Sequence, residues 1–163
     1  GEVMYEDGAE LLSMDRLYAG FGKSTVDSTK SLVTRILIPA AGPGEGSGYA
    51  RLEQRKALAL PMVCVAAFLG IREGMVERCR IAMAPVGVGP VRAIEAERFL
   101  IGKAAEKEVF SEAGRLALKN ANPRDSLIRG SKRYREEVLP VMVERALSEA
   151  LSDAEGREKE VEQ

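Results

Sequence analysis

The sequence predicts an α+β fold in which an antiparallel β-sheet packs against a small bundle of about three helices. Two apolar segments, residues 60–71 and 76–83, are typical of neighbouring strands because their residues alternate between two faces. After Pro90 the apolar residues recur at three- and four-residue intervals, which is typical of helices. The 163 residues, 45% hydrophobic and 30% charged, suffice for one core and have a globular composition.

The first forty residues contain two shorter candidate strands. These are residues 3–5 and 32–38, and Glu6-Asp7-Gly8 supplies a turn after the first of them. A glycine-rich run, AAGPGEGSG, extends from Ala40 to Gly48. No Lys-Ser or Lys-Thr helix start follows it, so the run lacks the pattern of a phosphate-binding loop. It is either a flexible connection or a loop that borders a ligand held elsewhere.

The two central strands differ in how they are covered. Both faces of residues 60–71 are apolar, which predicts a central strand covered on both sides. Residues 76–83 have one apolar face, and Arg78 and Arg80 lie on the other, which is expected to meet water or a partner. The predicted inward residues of this second strand are Cys79, Ile81 and Met83.

A two-residue turn at Glu73-Gly74 sets the predicted pairing of these strands. Counting back from the turn places Cys64 opposite Met83. Cys79 then lies opposite Phe68, so the two sulfurs are out of register. The chain has no histidine and only two cysteines, which leaves no ligand set for zinc or an iron–sulfur cluster. We therefore predict two buried free thiols and no metal site.

Three helices are predicted after Pro90. The third contains Pro140, which should bend it, and carries two apolar stripes that imply two packing neighbours. One stripe continues from Tyr134 through Val138, Val141, Met142 and Arg145, and the other contains Leu139, Val143, Ala146 and Ala150. Residues 152–163 are highly charged and are expected to fray. The predicted helices cover residues 91–100, with Gly102 as a stop, residues 105–119 and residues 131–151.

Composition argues against several classes of function. A net charge of −1, from 24 basic and 25 acidic residues, gives no electrostatic basis for binding nucleic acid. The longest apolar run, residues 57–71, is broken by Pro61 and is too short to span a membrane. No apolar signal segment is present, so a cytoplasmic location is expected. Without histidine there is no Ser-His or Cys-His pair, and no catalytic residue is predicted.

The stretch from Asn122 to Arg135, NPRDSLIRGSKRYR, combines turn and helix-start residues. Pro123 bars helix continuation, Asp125 can cap a short turn, and Ser131 offers its hydroxyl to the amides of a new helix. The stretch also resembles the closing motif of the flavoprotein subunits of molybdenum hydroxylases, the xanthine dehydrogenase and carbon monoxide dehydrogenase family.

Three further segments resemble the same family. GPVRAIEAERFLIGK (residues 89–103) is similar to an internal motif, and YARLEQRKALALPMVCVAA (residues 49–67) is similar to the start of the family's C-terminal domain. LYAGFGKSTVDSTKSLVTRILIP (residues 17–39) is similar to the last hairpin of its FAD-binding domain. The resemblance therefore implies four parts: the end of an FAD-binding domain at 1–40, a glycine-rich linker at 41–48, the C-terminal domain at 49–151 and a charged tail at 152–163.

The family's chemistry is what the resemblance implies for the parent protein. Such enzymes hydroxylate a carbon centre at a molybdenum cofactor in a large subunit and pass electrons through a [2Fe-2S] small subunit to FAD. The C-terminal domain covers one side of the flavin and helps to dock these partners. The resemblance implies flavin contacts at Val33, through its backbone, and along Tyr49-Ala50-Arg51. The glycine-rich loops that hold the FAD pyrophosphate precede the matched part, so the chain resembles the back half of a subunit.

Departures from the family pattern leave a second function open. Relatives often have lysine at the position of Ala50 or Arg51 and an acidic residue at that of Leu58, and Ser31 replaces a frequent glutamate. Tyr49 is alternatively an ordinary half-buried strand aromatic, and Arg51 part of a solvated face. The second function is a non-catalytic interaction module without flavin. The isolated chain is expected to be inactive, to bind FAD weakly or not at all, and to self-associate through an exposed sheet edge.

Overall fold

A computed structural model describes residues 2–5, 8–20, 22–55 and 58–161. It confirms the α+β class, with antiparallel sheets and three α-helices in this part of the chain. The chain divides into two compact units, one up to Ala40 and one from Ala41 onward.

The first unit is built of short strands. Its main sheet has the order β2-β1-β5, and β3 pairs with β4 separately. The last strand ends at Arg35, so the predicted strand at residues 32–38 is too long. Glu6 and Asp7 of the predicted turn lie outside the described residues. All described side chains of this unit are at least partly exposed. The strands are β1 (Glu2–Tyr5), β2 (Gly8–Leu11), β3 (Tyr18–Gly20), β4 (Lys23–Ser24) and β5 (Ser31–Arg35).

The second unit is a four-stranded antiparallel sheet with helices on one side. Its strand order is β6-β7-β8-β9. The third helix packs on β6 and β7, the first on β8, and the second packs against both of these helices. The strands are β6 (Glu45–Leu52), β7 (Val63–Arg72), β8 (Met75–Ala84) and β9 (Val91–Arg92). The helices are α1 (Ile94–Leu100), α2 (Lys107–Ala117) and α3 (Lys132–Val161).

The predicted hairpin turn between β7 and β8 is confirmed. Arg72 faces Met75, and both turn residues have positive φ, 51° at Glu73 and 74° at Gly74, as a type I′ turn requires. Beyond the turn the register shifts by one residue, because Glu77 has no pairing partner on β7 and forms a bulge. Turn chemistry can be recognised from sequence, but nothing in the local sequence marks this bulge.

Because of the bulge, the residues opposite the two cysteines differ from those predicted. Both thiols are free and out of register, as predicted, although Cys64 is only half-buried. The observed partners are Ala84 for Cys64 and Leu69 for Cys79, in place of the predicted Met83 and Phe68.

The core lies between one face of the sheet and the helices. On β7 the inward residues are fully buried, whereas Ala66 on the opposite face is exposed. The prediction that β7 is covered on both faces is therefore wrong in the described structure. On β8 the predicted inward and outward residues are confirmed. The residues that fill the sheet side of the core are Ala50, Val63, Val65, Ala67, Leu69, Val76, Cys79, Ile81 and Met83.

The glycine-rich run is not a flexible linker over its second half, because β6 begins at Glu45. Gly46 and Gly48 face α3 and are buried. A Cβ atom built on Gly46 would lie 2.9 Å from the Cα atom of Ala154, and one built on Gly48 would lie 2.9 Å from the Cβ atom of Glu149. The missing side chains let the helix backbone lie directly on the strand.

Two carboxylates of α3 bind the outer edge of β6. The Ser47 N–H donates to Asp153 Oδ2 and the Tyr49 N–H donates to Glu149 Oε2, both at 2.9 Å. Ala154 is buried, and α3 continues to Val161. The prediction that residues 152–163 fray is therefore wrong as far as Val161, because this segment binds and packs on a strand that its own sequence does not reveal. The last two residues lie outside the described part of the chain.

The start of α3 agrees with the predicted capping. The Ser131 hydroxyl accepts the Tyr134 N–H at 3.2 Å, and Asp125 Oδ1 accepts the Lys132 N–H at 2.8 Å. Asp125 thus caps the helix rather than a separate turn. Arg135 in the first turn is buried, and its Nη1 donates to the Pro85 carbonyl at 2.8 Å.

The middle of α3 continues through Pro140 and packs against α2. A Cβ atom on Gly114 of α2 would lie 3.0 Å from the Pro140 Cα atom, so the two helices approach closely there. Of the two predicted stripes, the one containing Leu139, Val143 and Ala146 is buried. The other is only partly buried, since Tyr134, Val141 and Arg145 are exposed.

We expect Gly48→Ala to destabilise the protein by roughly 2–3 kcal/mol, because its methyl group would overlap the backbone of α3. Gly156→Ala, on α3 with open space around it, should stabilise the protein by up to about 1 kcal/mol. Urea unfolding of both variants measures the difference. Equal stability of Gly48→Ala and the wild type would show that α3 does not contact β6 this closely.

The bonds to Asp153 predict acid sensitivity. The Ser47 N–H, followed by Arg157, lowers the pKa of Asp153 from its ordinary value. The resulting stabilisation is present above the unfolded-state pKa of about 4 and is lost as the pH falls through the lower folded-state pKa. Asp153→Asn should therefore flatten the acid limb of the urea midpoint against pH. Glu155→Gln, at an exposed carboxylate of the same helix, should leave that limb unchanged.

Candidate functional site

The sheet face opposite the helices is the candidate functional site. We call it the open face. On β6, β7 and β8 every second side chain points to it, because side chains alternate along a strand. It combines exposed alanines with aromatic and basic side chains. Its residues are Ser47, Tyr49, Arg51, Cys64, Ala66, Phe68, Arg78, Arg80 and Ala82.

Tyr49 presents an accessible aromatic ring on the open face. It is 52% exposed and lies opposite Ala66, whose small side chain leaves the ring uncovered. Partial burial, and next the Cys64 thiol, raise the pKa of the Tyr49 phenol. The phenol is therefore neutral at physiological pH. The bond from its backbone N–H to Glu149 fixes the strand that carries it.

Arg51 lies two residues further along the same face and is held in place. Its Nε donates to Glu53 at 2.6 Å and its Nη2 donates to the Ala59 carbonyl at 2.6 Å. The pKa of Arg51 is raised, mainly by the hydrogen bond to Glu53. The side chain borders an open groove of about 630 Å³, which also includes Glu53, Leu58, Ala59 and Leu60. Leu58 and Leu60 are largely exposed there.

The other two predicted contact residues lie elsewhere. Ala50 is on the opposite face of β6, 8% exposed and packed in the core. Its side chain therefore cannot share a surface with Tyr49 and Arg51. Val33 lies on β5 of the first unit, opposite Val3, and is 40% exposed. Within the second unit the structure brings together only Tyr49 and Arg51.

The far end of the open face carries two arginines in different environments. Arg78 pairs with Glu45, and its guanidinium lies 5.3 Å from the centre of the Phe68 ring. Arg80 donates to the Cys79 carbonyl at 2.9 Å. Among the described residues, no carboxylate lies within ion-pair distance of Arg80. Its exposed charge is therefore available to a ligand or partner.

Glu97 is a buried carboxylate that the sequence did not identify as buried. Glu97 pairs with Arg92 and also accepts the Ile81 N–H at 2.9 Å. Its helical spacing from Ala93 and Leu100, both core residues, was the available signal. Because both oxygens of Glu97 are engaged, it joins α1 to the sheet.

The rest of the described chain offers few alternatives. Over residues 2–5, 8–20, 22–55 and 58–161, no group of three His, Cys, Asp or Glu side chains could hold a metal ion. In the same residues, no helix has the length and apolar character needed to cross a membrane. The roles of Glu149 and Asp153 were not predicted, because their binding partners are backbone amides about 100 residues earlier.

Comparison with known proteins identifies a family for the second unit. A model of the family described as CO dehydrogenase flavoprotein C-terminal domain matches residues 49–150. The xanthine dehydrogenase FAD-binding subunit of Escherichia coli O157:H7 is 22% identical over 156 residues, which cover 96% of this chain and 53% of the relative. The chain thus spans about half the length of the curated relatives it matches.

Solved structures agree with this match. CO dehydrogenase from Oligotropha carboxidovorans aligns with a TM-score of 0.83 at 27% identity, covering 94% of this chain and 52% of the solved chain. CO dehydrogenase from Hydrogenophaga pseudoflava, in a form lacking the Mo-pyranopterin moiety of its molybdenum cofactor, aligns with a TM-score of 0.85 at 26% identity, covering 93% and 52%. Quinoline 2-oxidoreductase from Pseudomonas putida 86 shares the fold, with a TM-score of 0.78 at 24% identity, covering 95% and 54%.

The two thiols should differ in reactivity. Burial, and next the nearby Glu97 carboxylate, raise the pKa of Cys79 to about 12, so it cannot supply a thiolate at pH 8. Cys64 is half-buried, and its thiol donates to the Ala84 carbonyl at 3.1 Å. We expect a disulfide reagent such as DTNB to titrate one thiol in the native protein and both in urea. Cys64→Ser should abolish the native reaction, whereas native reactivity lost only in Cys79→Ser would contradict the structure.

Proposed function

The chain belongs to the CO dehydrogenase flavoprotein C-terminal domain family, and we propose that it forms the C-terminal part of an FAD-binding subunit of a molybdenum hydroxylase. The observation that carries the proposal is the pair of side chains Tyr49 and Arg51 on the open face, at the start of the matched domain. Relatives named as FAD-binding subunits and solved CO dehydrogenases support it.

The geometry around Tyr49 fits one side of a flavin ring. The accessible phenol ring offers a flat surface for stacking, and Ala66 beside it leaves room for a planar group. Bound FAD supplies two-electron redox chemistry. In this proposal Tyr49 excludes water from one ring face. Arg51, which Glu53 and the Ala59 carbonyl hold in place, favours the anionic reduced ring by Coulomb attraction.

The second unit fits the pyrophosphate of FAD poorly. Its longest helix, α3, follows Gly130 and would be the natural place for phosphate oxygens. The Lys132 and Tyr134 amides at that helix start are already bound by Asp125 and Ser131. The pyrophosphate contacts are therefore assigned to the part of the subunit that this chain does not span. Val33 and Ala50 remain proposed contacts through their backbone only.

The proposed role in the complete enzyme is to cover FAD while electrons arrive from iron–sulfur clusters. The molybdenum-cofactor large subunit and the [2Fe-2S] small subunit are the proposed partners, by family membership. Arg80, whose exposed charge has no ion-pair partner among the described residues, is the residue of the open face best suited to a carboxylate on a docked chain.

A second candidate function is a docking module without flavin. It is favoured by one observation, the exposed Ala66 and Ala82 beside Arg80 and Phe68, which together make a partly apolar surface with a basic rim. In this alternative the whole open face would contact protein. The two functions differ in whether a small aromatic ligand binds at Tyr49.

Flavin titration of the purified chain distinguishes the two functions. If the protein contacts only the flavin ring, it should bind riboflavin and FAD with similar dissociation constants, on the order of 0.1–1 mM, because no pyrophosphate site adds affinity. Binding is seen as quenching of the flavin fluorescence. Tyr49→Ala and Arg51→Ala should each weaken binding several-fold. The readout is flavin fluorescence at rising protein concentration.

Matched variants on α3 serve as controls for this titration. Tyr134 is similarly exposed, at 42%, and Arg133 is an exposed arginine on the same helix. Tyr134→Ala and Arg133→Ala should leave the quenching unchanged. An equal loss of riboflavin affinity in Tyr49→Ala and Tyr134→Ala would contradict a flavin contact at Tyr49 and favour the docking module. Riboflavin fluorescence that stays unquenched up to the solubility limit of the protein would have the same meaning.

A further inference from the structure

The charge in the groove beside Arg51 is balanced within the chain. Of the described residues that line this groove, only Arg51 and Glu53 carry charge, and the others are Leu58, Ala59 and Leu60. Arg51 Nε lies 2.6 Å from Glu53 Oε2, so the two opposite charges are in direct contact. Such a pair acts on a more distant group as a dipole, and its effect falls off faster with distance than that of a single charge. Arg51 therefore attracts an anion in the groove less strongly than an unpaired arginine would.

Glu53 also fixes where the guanidinium of Arg51 lies. The side chains of Arg51 and Glu53 are 40% and 26% exposed, so neither is held in place by burial alone. The hydrogen bonds from Arg51 to Glu53 and to the Ala59 carbonyl supply the missing constraint. The bond to Glu53 raises the pKa of Arg51, and the neighbouring Tyr49 phenol adds to this effect. The held cation is thus a neighbour of the ring on which the flavin is proposed to stack.

Reduction changes the charge of the proposed ligand. The oxidised flavin ring is neutral, and the reduced ring is an anion once it has gained two electrons and one proton. Arg51 and Glu53 therefore act on the reduced ring with opposite sign, and both affect the oxidised ring little. The balance between these two charges sets how readily a bound ring gives its electrons up again.

We propose that Glu53 is a positioning residue that holds Arg51 against the groove and, by screening its charge, limits how strongly the site stabilises the reduced flavin ring. The screen keeps the midpoint potential of the bound ring low enough for its electrons to be passed on. Glu53 acts through Arg51 and is not a proposed ring contact. This inference rests on the proposed function, because the anion concerned is the reduced flavin.

The midpoint potential of riboflavin bound to the full chain tests the screening. Its shift from the potential of free riboflavin gives the ratio of the dissociation constants of the oxidised and reduced ring, and a tenfold ratio corresponds to about 30 mV. Glu53→Gln keeps an acceptor oxygen for Arg51 but removes the charge. The reduced ring should then bind roughly three- to tenfold more tightly than in the wild type, with oxidised riboflavin unchanged. Equal potentials for Glu53→Gln and the wild type overturn the proposal.

A matched control uses an exposed ion pair at the other end of the sheet. Glu77 pairs with Arg72 at 3.2 Å near the β7–β8 turn. Glu77→Gln should leave the riboflavin potential unchanged, because the pair lies far from the groove and is screened by salt. A shift equal to that of Glu53→Gln would reflect net charge alone and overturns the assignment to Glu53.

Glu53→Ala tests the positioning role. It removes the charge and the acceptor together, so it should raise the potential less than Glu53→Gln, because Arg51 loses one of the bonds that hold it. In an Arg51→Gln background the two substitutions at position 53 should have equal effects, since no guanidinium is left to position. A shift in Glu53→Ala that equals or exceeds that of Glu53→Gln overturns the positioning role. Unequal effects in the Arg51→Gln background also overturn it.

A measurement without flavin uses the Cys64 thiol, which lies opposite Arg51 on β7. DTNB is an anion, so its rate of reaction with Cys64 should rise several-fold in Glu53→Gln and fall in Arg51→Gln. Unchanged rates in both variants overturn the screening.

These measurements separate the two ways in which the inference can fail. If the wild type does not bind riboflavin, the proposed function fails and the inference fails with it. If riboflavin binds and its affinity depends on Tyr49, an unchanged potential in Glu53→Gln overturns the inference alone.

Discussion

The close contact between α3 and β6 sets the position of the other elements of the domain. Gly46 and Gly48 allow the helix backbone to lie on the strand, and the small residues Ala146, Ala150 and Ala154 repeat every four residues along the helix that meets them. From this position α3 also covers β7 and supports α2. The two glycines thus set how closely α3 approaches the sheet, and α3 lies on the sheet face that becomes the core.

The same contact explains why the opposite face is open. With α3, α1 and α2 all on one side, the alternation of side chains along β6 separates Ala50 in the core from Tyr49 and Arg51 outside. The Tyr49 amide is bound by α3 while its ring points away from that helix. One face of β6 therefore packs in the core and the other forms the candidate flavin surface. A shift of α3 would move β6 and with it the side chains of Tyr49 and Arg51.

Features that neighbouring residues encode were predicted from the sequence, whereas features that depend on distant residues were not. The Glu73-Gly74 turn, the alternation in β8 and the helical spacing of α1 and α2 are encoded in neighbouring residues, and they were predicted, although both helices proved shorter. The bulge at Glu77, the strand within the glycine-rich run and the ordered end of α3 depend on distant partners. The family motifs pointed to Tyr49-Ala50-Arg51, whereas strand geometry was needed to separate Ala50 from its neighbours.

The distance along the chain between β6 and α3 affects how the domain forms during synthesis. The bonds from the Tyr49 and Ser47 amides to Glu149 and Asp153 join residues 100 and 106 positions apart. At a translation rate of about 5–20 residues per second, roughly 5–20 s pass between the appearance of β6 and that of its helix. During this interval the β6-β7-β8 hairpins exist without a cover for Val63, Val65 and Leu69. Apolar surface exposed in this way makes a partly synthesised chain prone to aggregation, and the core can be completed only after α3 has left the ribosome.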